Sequence, residues 1–164
     1  YTDKVGDGAG VFKSTDRGNS WTQINNGLDS LETNILTVDP NDSETLYLGT
    51  DDDGVYKSTD GGESWKKLTV SSLSKSFGVG DIIVDPQNSN NIYIGTVDYF
   101  RLSESRGVLG DFGVYKSTNG GATWEEFNVG LNHLGVFSLE LSEENRILYA
   151  GTRAGGVYWI SLDN

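Results

Sequence analysis

Three consecutive aspartates, Asp51, Asp52 and Asp53, carry the oxygen ligands that Ca²⁺ prefers in proteins. Consecutive side chains of an extended hairpin point in different directions, so further ligands would have to converge from other parts of the chain. We therefore interpret these carboxylates as a solvated turn, and we predict neither a metal site nor a cofactor.

The sequence offers few residues for nucleophilic catalysis. His133 is the only histidine, it lies in a polar stretch, and the chain has no cysteine. A lone histidine of this kind is usually solvated, so a Ser-His-Asp arrangement has no support. The absence of cysteine excludes a thiol nucleophile, a disulfide framework and a Cys-ligated metal.

One phrase, Gly-Val-aromatic-Lys-Ser-Thr, occurs three times and is followed each time by a polar turn and a tryptophan. The copies span residues 10–21, 54–65 and 113–124. Alternating side chains predict a strand, and the polar residues with glycine predict a turn into a second strand. Because each polar atom of such a turn finds a local partner, we interpret its carboxylate as structural.

The pattern Ser-x-Asp-x-Gly-x-Ser-Trp resembles the Asp-box of the BNR repeat families, which include sialidases, sortilin-type receptors, photosystem assembly factors and xyloglucan-active glycoside hydrolases. In these families the box joins the third and fourth strands of a β-propeller blade. A fourth copy, residues 156–164, keeps the strand and stops where the box would be. The resemblance implies structural roles for Ser14, Asp16, Gly18, Trp21, Ser58, Asp60, Gly62, Trp65, Ser117, Asn119, Gly121 and Trp124. Asn119 replaces the aspartate in the third copy, and its amide oxygen can accept the same turn bonds.

The repeat predicts an all-β fold, a β-propeller built of four-stranded antiparallel blades. Two of the three steps between copies are about 43 to 44 residues, typical of a blade. We call the strands a to d. The single segment 1–164 divides into units of approximately 1–34 (partial), 35–80, 81–135 and 136–164 (partial). Two strand ends, Asp39-Pro40 and Asp85-Pro86, read as turn starts with structural carboxylates.

About three and a half blades are fewer than the four to eight of a closed propeller, and an open end leaves unpaired strand edges. We therefore expect a partial propeller, completed by the remaining blades of a larger chain or by self-association with another copy. The mass in size-exclusion chromatography tests the second alternative.

The loop between strands b and c of the third unit is seventeen residues long, whereas two other units have four. We predict that it is a contact surface for a protein or glycan, because aromatic and arginine side chains are typical of such surfaces. The predicted contact residues are Tyr99, Phe100, Arg101, Arg106 and Phe112. The alternative, that Phe100, Leu109 and Phe112 cover a neighbouring blade, remains open.

The formal charge of −12, from 24 acidic and 12 basic residues, repels phosphate backbones and anionic lipids. We therefore expect no nucleic-acid partner and no membrane insertion, and no apolar run has transmembrane length. Tyr1-Thr2-Asp3 is no signal peptide, so we expect that the chain lost a leader or was cut from something longer. We expect an exported protein, extracellular or periplasmic.

The predicted function is a non-catalytic Asp-box propeller module that binds protein or glycan or serves extracellular architecture. The alternative is part of a glycoside hydrolase. Residues 50–56 resemble the Thr-Asp-x-Gly-Gly-x-Tyr phrase of the xyloglucan-active enzymes, which implies Asp51 as a catalytic carboxylate, with Asp81 as a possible second. Asp53 stands where that phrase has its first glycine. A sialidase would need three arginines, and Arg101, Arg106 and Arg153 would lie on one face, but the amino-terminal arginine motif of that family is absent.

Overall fold

The computed structural model describes residues 8–73, 77–98, 112–153 and 155–163, and every regular element in these ranges is a β-strand. In this part of the chain no helix is long and apolar enough to cross a membrane. The strands are β1 Phe12–Lys13, β2 Thr22–Gln23, β3 Thr33–Asp39, β4 Asp42–Thr50, β5 Val55–Ser58, β6 Lys66–Lys67, β7 Gly78–Val84, β8 Ile92–Val97, β9 Gly113–Ser117, β10 Glu125–Glu126, β11 Val136–Ser142, β12 Ile147–Thr152 and β13 Gly156–Ser161.

These strands form four antiparallel sheets in which strands adjacent in sequence are adjacent in space. The first sheet is β1-β2, the second β3-β4-β5-β6, the third β7-β8-β9-β10 and the fourth β11-β12-β13. The second and third sheets have strands a to d, the first has c and d, and the fourth has a, b and c. The prediction of a partial β-propeller is therefore confirmed.

The core lies between successive sheets, because the central strands are apolar on both faces. On the second sheet, Leu48 and Tyr56 pack toward the first sheet. Their chain neighbours Tyr47 and Val55 point the other way and pack against the third sheet. A third cluster joins the third and fourth sheets around Tyr93 and Val136. Each complete sheet is thus buried by the sheet before it and the sheet after it.

The two outer sheets leave apolar positions uncovered. Leu36 on the second sheet faces the two-stranded first sheet and is 46% exposed, whereas Ile82, at the matching position of the third sheet, is 1% exposed. Val157 on the fourth sheet is 72% exposed, whereas its counterpart Val55 is 0% exposed. The same side chain is therefore core or surface according to whether a neighbouring sheet covers it.

Close approach of one sheet to the next depends on a glycine in strand b. A Cβ atom on Gly95 would lie 2.7 Å from Val136 Cγ1 and 3.0 Å from the Val136 carbonyl oxygen. We expect Gly95→Ala to lower the free energy of unfolding by about 1 to 3 kcal/mol, because the sheets would have to separate. Urea unfolding measures this.

The matched control is Gly151→Ala at the same position of the fourth sheet. There the added Cβ would meet the Ser138 hydroxyl, which can rotate away. An equal loss of stability in both variants would contradict the account of Gly95.

Candidate functional site

Hydrogen bonds divide the connections between strands into two opposite faces. On one, the box turns meet the a-to-b turns: Gly61 N–H donates to the Glu44 carbonyl at 2.9 Å, and Gly120 N–H donates to that of Asn90 at 3.0 Å. On the other, Asp51 N–H donates to the Glu32 carbonyl at 2.9 Å. We call these the box face and the loop face.

The box turn is a closed network of local hydrogen bonds. Ser58 Oγ donates to Asp60 Oδ1 at 2.7 Å and accepts the Gly62 N–H at 2.9 Å. Asp60 also accepts the Ser64 N–H at 2.9 Å and the Ser64 hydroxyl at 2.5 Å. Both carboxylate oxygens of Asp60 are therefore occupied within the turn.

The other two boxes repeat this arrangement. Ser14 donates to Asp16 at 2.8 Å, and Ser117 donates to the Asn119 amide oxygen at 3.0 Å. The glycines at the matching position adopt left-handed φ angles of 87°, 90° and 91°, which favour glycine. These glycines are Gly18, Gly62 and Gly121.

The three box tryptophans differ in what they contact. Trp65 is buried, and its Nε1–H donates to the Ile24 carbonyl of the preceding sheet at 2.8 Å. Trp124 donates to the Gly121 carbonyl of its own turn at 3.1 Å. Trp21 is 62% exposed and lines a groove of about 380 Å³ beside Leu36.

Acid should weaken the box turns that carry aspartate. The hydrogen bonds from Ser64 and Ser58 lower the pKa of Asp60 to about 2, and those from Ser20 and Ser14 do the same for Asp16. A folded pKa below the unfolded value of about 3.9 gives a stabilisation that is complete above that value and is lost as pH falls through about 2.

We expect Asp60→Asn to keep the fold at pH 7 and to reduce the loss of stability between pH 4 and pH 2, because Asn119 makes the same turn without a titratable group. The measurement is the urea midpoint as a function of pH. Asn119→Asp is the reciprocal variant and should enlarge the loss. Unchanged acid dependence in both would contradict the role given to the carboxylate.

On the loop face, the carboxyls of Glu32 and Asp51 have raised pKa values, and Asp52 lies beside them. Burial raises the pKa of Asp51, with Asp52 adding repulsion. Burial also raises the pKa of Glu32, followed by repulsion from Asp52 and Asp51. Ser30 Oγ donates to Asp52 at 3.2 Å, whereas the Asp51 carboxyl makes no hydrogen bond within the described residues. Among the described residues, the Asp51 carboxyl is therefore an unoccupied acceptor on the loop face.

Asp53 belongs to a different network. Its carboxylate accepts the Tyr56 hydroxyl and the Lys67 ammonium. The Tyr56 oxygen in turn accepts the Asp29 N–H at 3.2 Å, and burial, then the Asp53 bond, raises the pKa of Tyr56. The sequence reasoning missed this network and Glu32; the one sequence signal was that Asp53 stands three residues before Tyr56.

Asp81 is tied into the fold. Its Oδ1 accepts the Ile82 N–H and its Oδ2 accepts the Leu139 N–H of the fourth sheet, both at 2.8 Å. Each oxygen thus holds a backbone group, and the carboxylate connects two sheets.

Four residues of the predicted contact loop, Tyr99, Phe100, Arg101 and Arg106, lie outside the described residues. Phe112 lies inside them and packs against the core between the second and third sheets. Its carbonyl accepts the Asn128 side chain at 3.0 Å. Within the described ranges, no group of three or more His, Asp or Glu side chains is arranged to hold a metal ion.

Comparison with known proteins identifies the family of this chain. The family model Sortilin-Vps10, described as sortilin, neurotensin receptor 3, matches residues 9–158. The chain belongs to the Sortilin-Vps10 family. The predicted membership of an Asp-box propeller family is therefore confirmed.

The Sortilin-Vps10 chain is also similar to glycoside hydrolases. Xyloglucanase Xgh74A of Acetivibrio thermocellus is 35% identical over 96 residues, which are 53% of this chain and 11% of the xyloglucanase. An ancestral GH74 enzyme of known structure has a TM-score of 0.74 and 26% identity over 94% of the chain. The GH74 enzyme of Niastella koreensis has a TM-score of 0.65 and 27% identity over 92%.

The Sortilin-Vps10 chain spans only a small part of each relative. It covers 20% of the ancestral enzyme and 24% of the Niastella enzyme. The likeness therefore establishes a propeller segment related to GH74 enzymes and to sortilin.

Proposed function

We propose that this segment is a non-catalytic part of a propeller that binds a glycan on its loop face. The observation that carries the proposal is the unequal state of the carboxyls on the two faces. Asp16 and Asp60 on the box face are saturated by their own turns. Asp51 on the loop face has no such partner among the described residues, so its oxygens are available to sugar hydroxyls.

Three features support a glycan over other ligands. The similarity to a xyloglucanase and to GH74 enzymes favours a polysaccharide. The formal charge of −12 disfavours polyanions such as nucleic acid. Glu32 and Asp51, with raised pKa values, carry less charge at mildly acidic pH than ordinary carboxylates, which eases their desolvation by a neutral ligand.

The test is the affinity of the whole protein that carries this segment for xyloglucan oligosaccharides, measured by calorimetry. Glu32→Gln and Asp51→Asn should weaken binding about tenfold, the cost of impairing one hydrogen bond to a charged group. Asp60→Asn on the box face is the matched control and should leave the affinity unchanged. Absence of binding by the unaltered protein, or equal losses in all three variants, would overturn the proposal.

A second candidate function, a share in glycoside hydrolysis, is favoured by the Asp51 carboxyl. Its pKa is raised by burial and by Asp52, which keeps a larger protonated fraction available for donation to a leaving group. Hydrolysis also needs a second carboxylate, about 5 Å away for retention or about 6.5 to 9.5 Å for inversion. Asp81 is a poor choice because both its oxygens hold backbone N–H groups.

The two functions separate experimentally on Asp51→Asn. If Asp51 is a general acid, xyloglucan hydrolysis by the whole protein should fall at least about a hundredfold in this variant while binding persists. Asp52→Asn is the control, and its rate of xyloglucan hydrolysis should fall only a little. Turnover by Asp51→Asn at the unaltered rate would remove this candidate.

We also propose that the protein is exported. The similarity to sortilin and to xyloglucanase supports this proposal, and fractionation of the native cells tests it. Recovery of the protein only from the cytoplasm would contradict it.

A further inference from the structure

Asp-Gly or Asn-Gly pairs occur at four places within the described residues, and one of them differs from the others in the hydrogen bonding of its glycine N–H. In three pairs the glycine N–H donates to a carbonyl of another segment. Gly54 donates to Phe77 at 3.1 Å, Gly61 to Glu44 at 2.9 Å and Gly120 to Asn90 at 3.0 Å. The fourth pair is Asn26-Gly27, and no hydrogen bond from its glycine N–H is found in the described part of the chain.

The side chains of the two asparagines that precede glycine are also in contrasting states. Asn119 is held by Ser117 at 3.0 Å and by Thr123, whose N–H donates to its Oδ1 at 2.9 Å and whose hydroxyl accepts from its Nδ2 at 2.7 Å. Asn26 is exposed, and its side chain makes no hydrogen bond to the described residues. The Asn26 side chain is therefore free to rotate, whereas the Asn119 side chain is held in place by hydrogen bonds.

We propose that Asn26 is a deamidation site at the junction of the first and second sheets. The Gly27 nitrogen attacks Asn26 Cγ and loses its proton, and the side-chain amide leaves as ammonia, which closes a succinimide ring. Water then opens the ring at either carbonyl and gives aspartate or isoaspartate. Glycine presents no Cβ to hinder ring closure. The sum is asparagine plus water to aspartate or isoaspartate plus ammonia, with no oxidant or reductant.

The product matters because Asn26 holds the next sheet. Its carbonyl accepts the Trp65 N–H at 2.8 Å, and the Trp65 ring nitrogen donates to the Ile24 carbonyl at 2.8 Å. An isoaspartate adds a carbon to the main chain and moves the residue 26 carbonyl away from Trp65. Modification therefore loosens the contact between the first two sheets.

A second turn of the chain has the same form but lacks an asparagine before its glycine, so it cannot deamidate there. Residues 128–132 match residues 25–29, with Asn128 accepting the Val114 N–H at 2.7 Å as Asn25 accepts the Val11 N–H at 2.7 Å. The position of Asn26 is taken there by Val129, and Gly130 keeps a φ of 81° beside the 91° of Gly27. Asn26→Val is therefore a substitution that this turn already tolerates elsewhere.

The experiment is incubation of the whole protein in mildly alkaline buffer, followed by peptide mapping by mass spectrometry. Methylation by an isoaspartate methyltransferase serves as a second readout. In the folded protein, deamidation at Asn26 should exceed that at Asn119 by at least about tenfold, because the Gly120 amide must first open. In urea the two sites should react at similar rates, since both precede glycine. Equal rates in the folded protein, or no product at residue 26, would overturn the proposal.

Asn26→Val and Asn26→Gln test the consequence. Incubation should lower the urea midpoint of the unaltered protein and change its tryptophan fluorescence, and it should leave both variants unchanged. An equal decline in the unaltered protein and in both variants would show that residue 26 does not govern the ageing, and would refute the structural consequence.

Discussion

Arg146→Ala should lower the free energy of unfolding by about 3 to 5 kcal/mol, the usual cost of removing one partner of a buried ion pair. Arg146 makes two hydrogen bonds to Asp85, at 2.9 Å and 2.6 Å, and the Asp85 side chain is 0% exposed. Without the guanidinium, the Asp85 carboxylate would keep, among the described residues, only the Gln87 N–H and the Asn91 amide as donors. Urea unfolding at neutral pH measures the loss.

Arg146→Lys is the matched control, since lysine keeps the charge but cannot form the two-pronged contact. Arg146→Lys should lose part of the stabilisation that the ion pair contributes, and Arg146→Ala should lose most of that stabilisation. A double-mutant cycle with Asp85→Asn isolates the pair, and a coupling energy near zero would contradict this account.

The same pair carries a pH dependence. The Arg146 guanidinium, more than any other group, lowers the pKa of Asp85. The stabilisation is thus complete above the unfolded pKa of aspartate, about 3.9, and disappears as pH falls through the lower folded value. Arg146→Ala should therefore show a smaller acid-induced loss than the unaltered protein.

Ile82→Ala should destabilise the protein by about 2 to 5 kcal/mol, the range for removing a large aliphatic side chain from a packed core. Ile82 is 1% exposed and belongs to the cluster between the second and third sheets, with Tyr47 and Val55. The measurement is again the urea midpoint and slope.

Leu36→Ala is the comparison that makes this prediction specific. Leu36 occupies the same position one repeat earlier, yet it is 46% exposed because the first sheet has only two strands among the described residues. Its loss should cost less than about 1 kcal/mol. If both alanine variants lost the same stability, position in the repeat, and not coverage by a neighbouring sheet, would govern the energetics.

The fold was predictable because its determinants are local and repeated. The strand and turn of the box follow from Ser58, Asp60 and Gly62, whose interactions lie within five residues of one another. Repetition of that turn then sets the number and order of the sheets. Trp65 was predicted only to have a structural role in the box, and its hydrogen bond to the preceding sheet was not predicted.

The candidate site was less predictable because its chemistry depends on partners distant in sequence. Glu32 meets Asp51 only through the pairing of a d-to-a loop with a b-to-c loop. The sequence indicated Asp81 as a possible second catalytic carboxylate, but its oxygens accept the N–H groups of Ile82 and of Leu139, which lies in another sheet. Asp85 was predicted as a turn residue, and nothing near it in sequence pointed to Arg146.

Among the described residues each sheet packs on the sheet before or after it, and this has a consequence for how order is lost. Sheets that touch in a row behave as a one-dimensional array, whose stability is a sum over junctions. Removing an outer sheet would leave its neighbour as bare as Val157 is now, with the remaining junctions intact. Mechanical or chemical unfolding of these sheets should therefore proceed one junction at a time, in discrete steps.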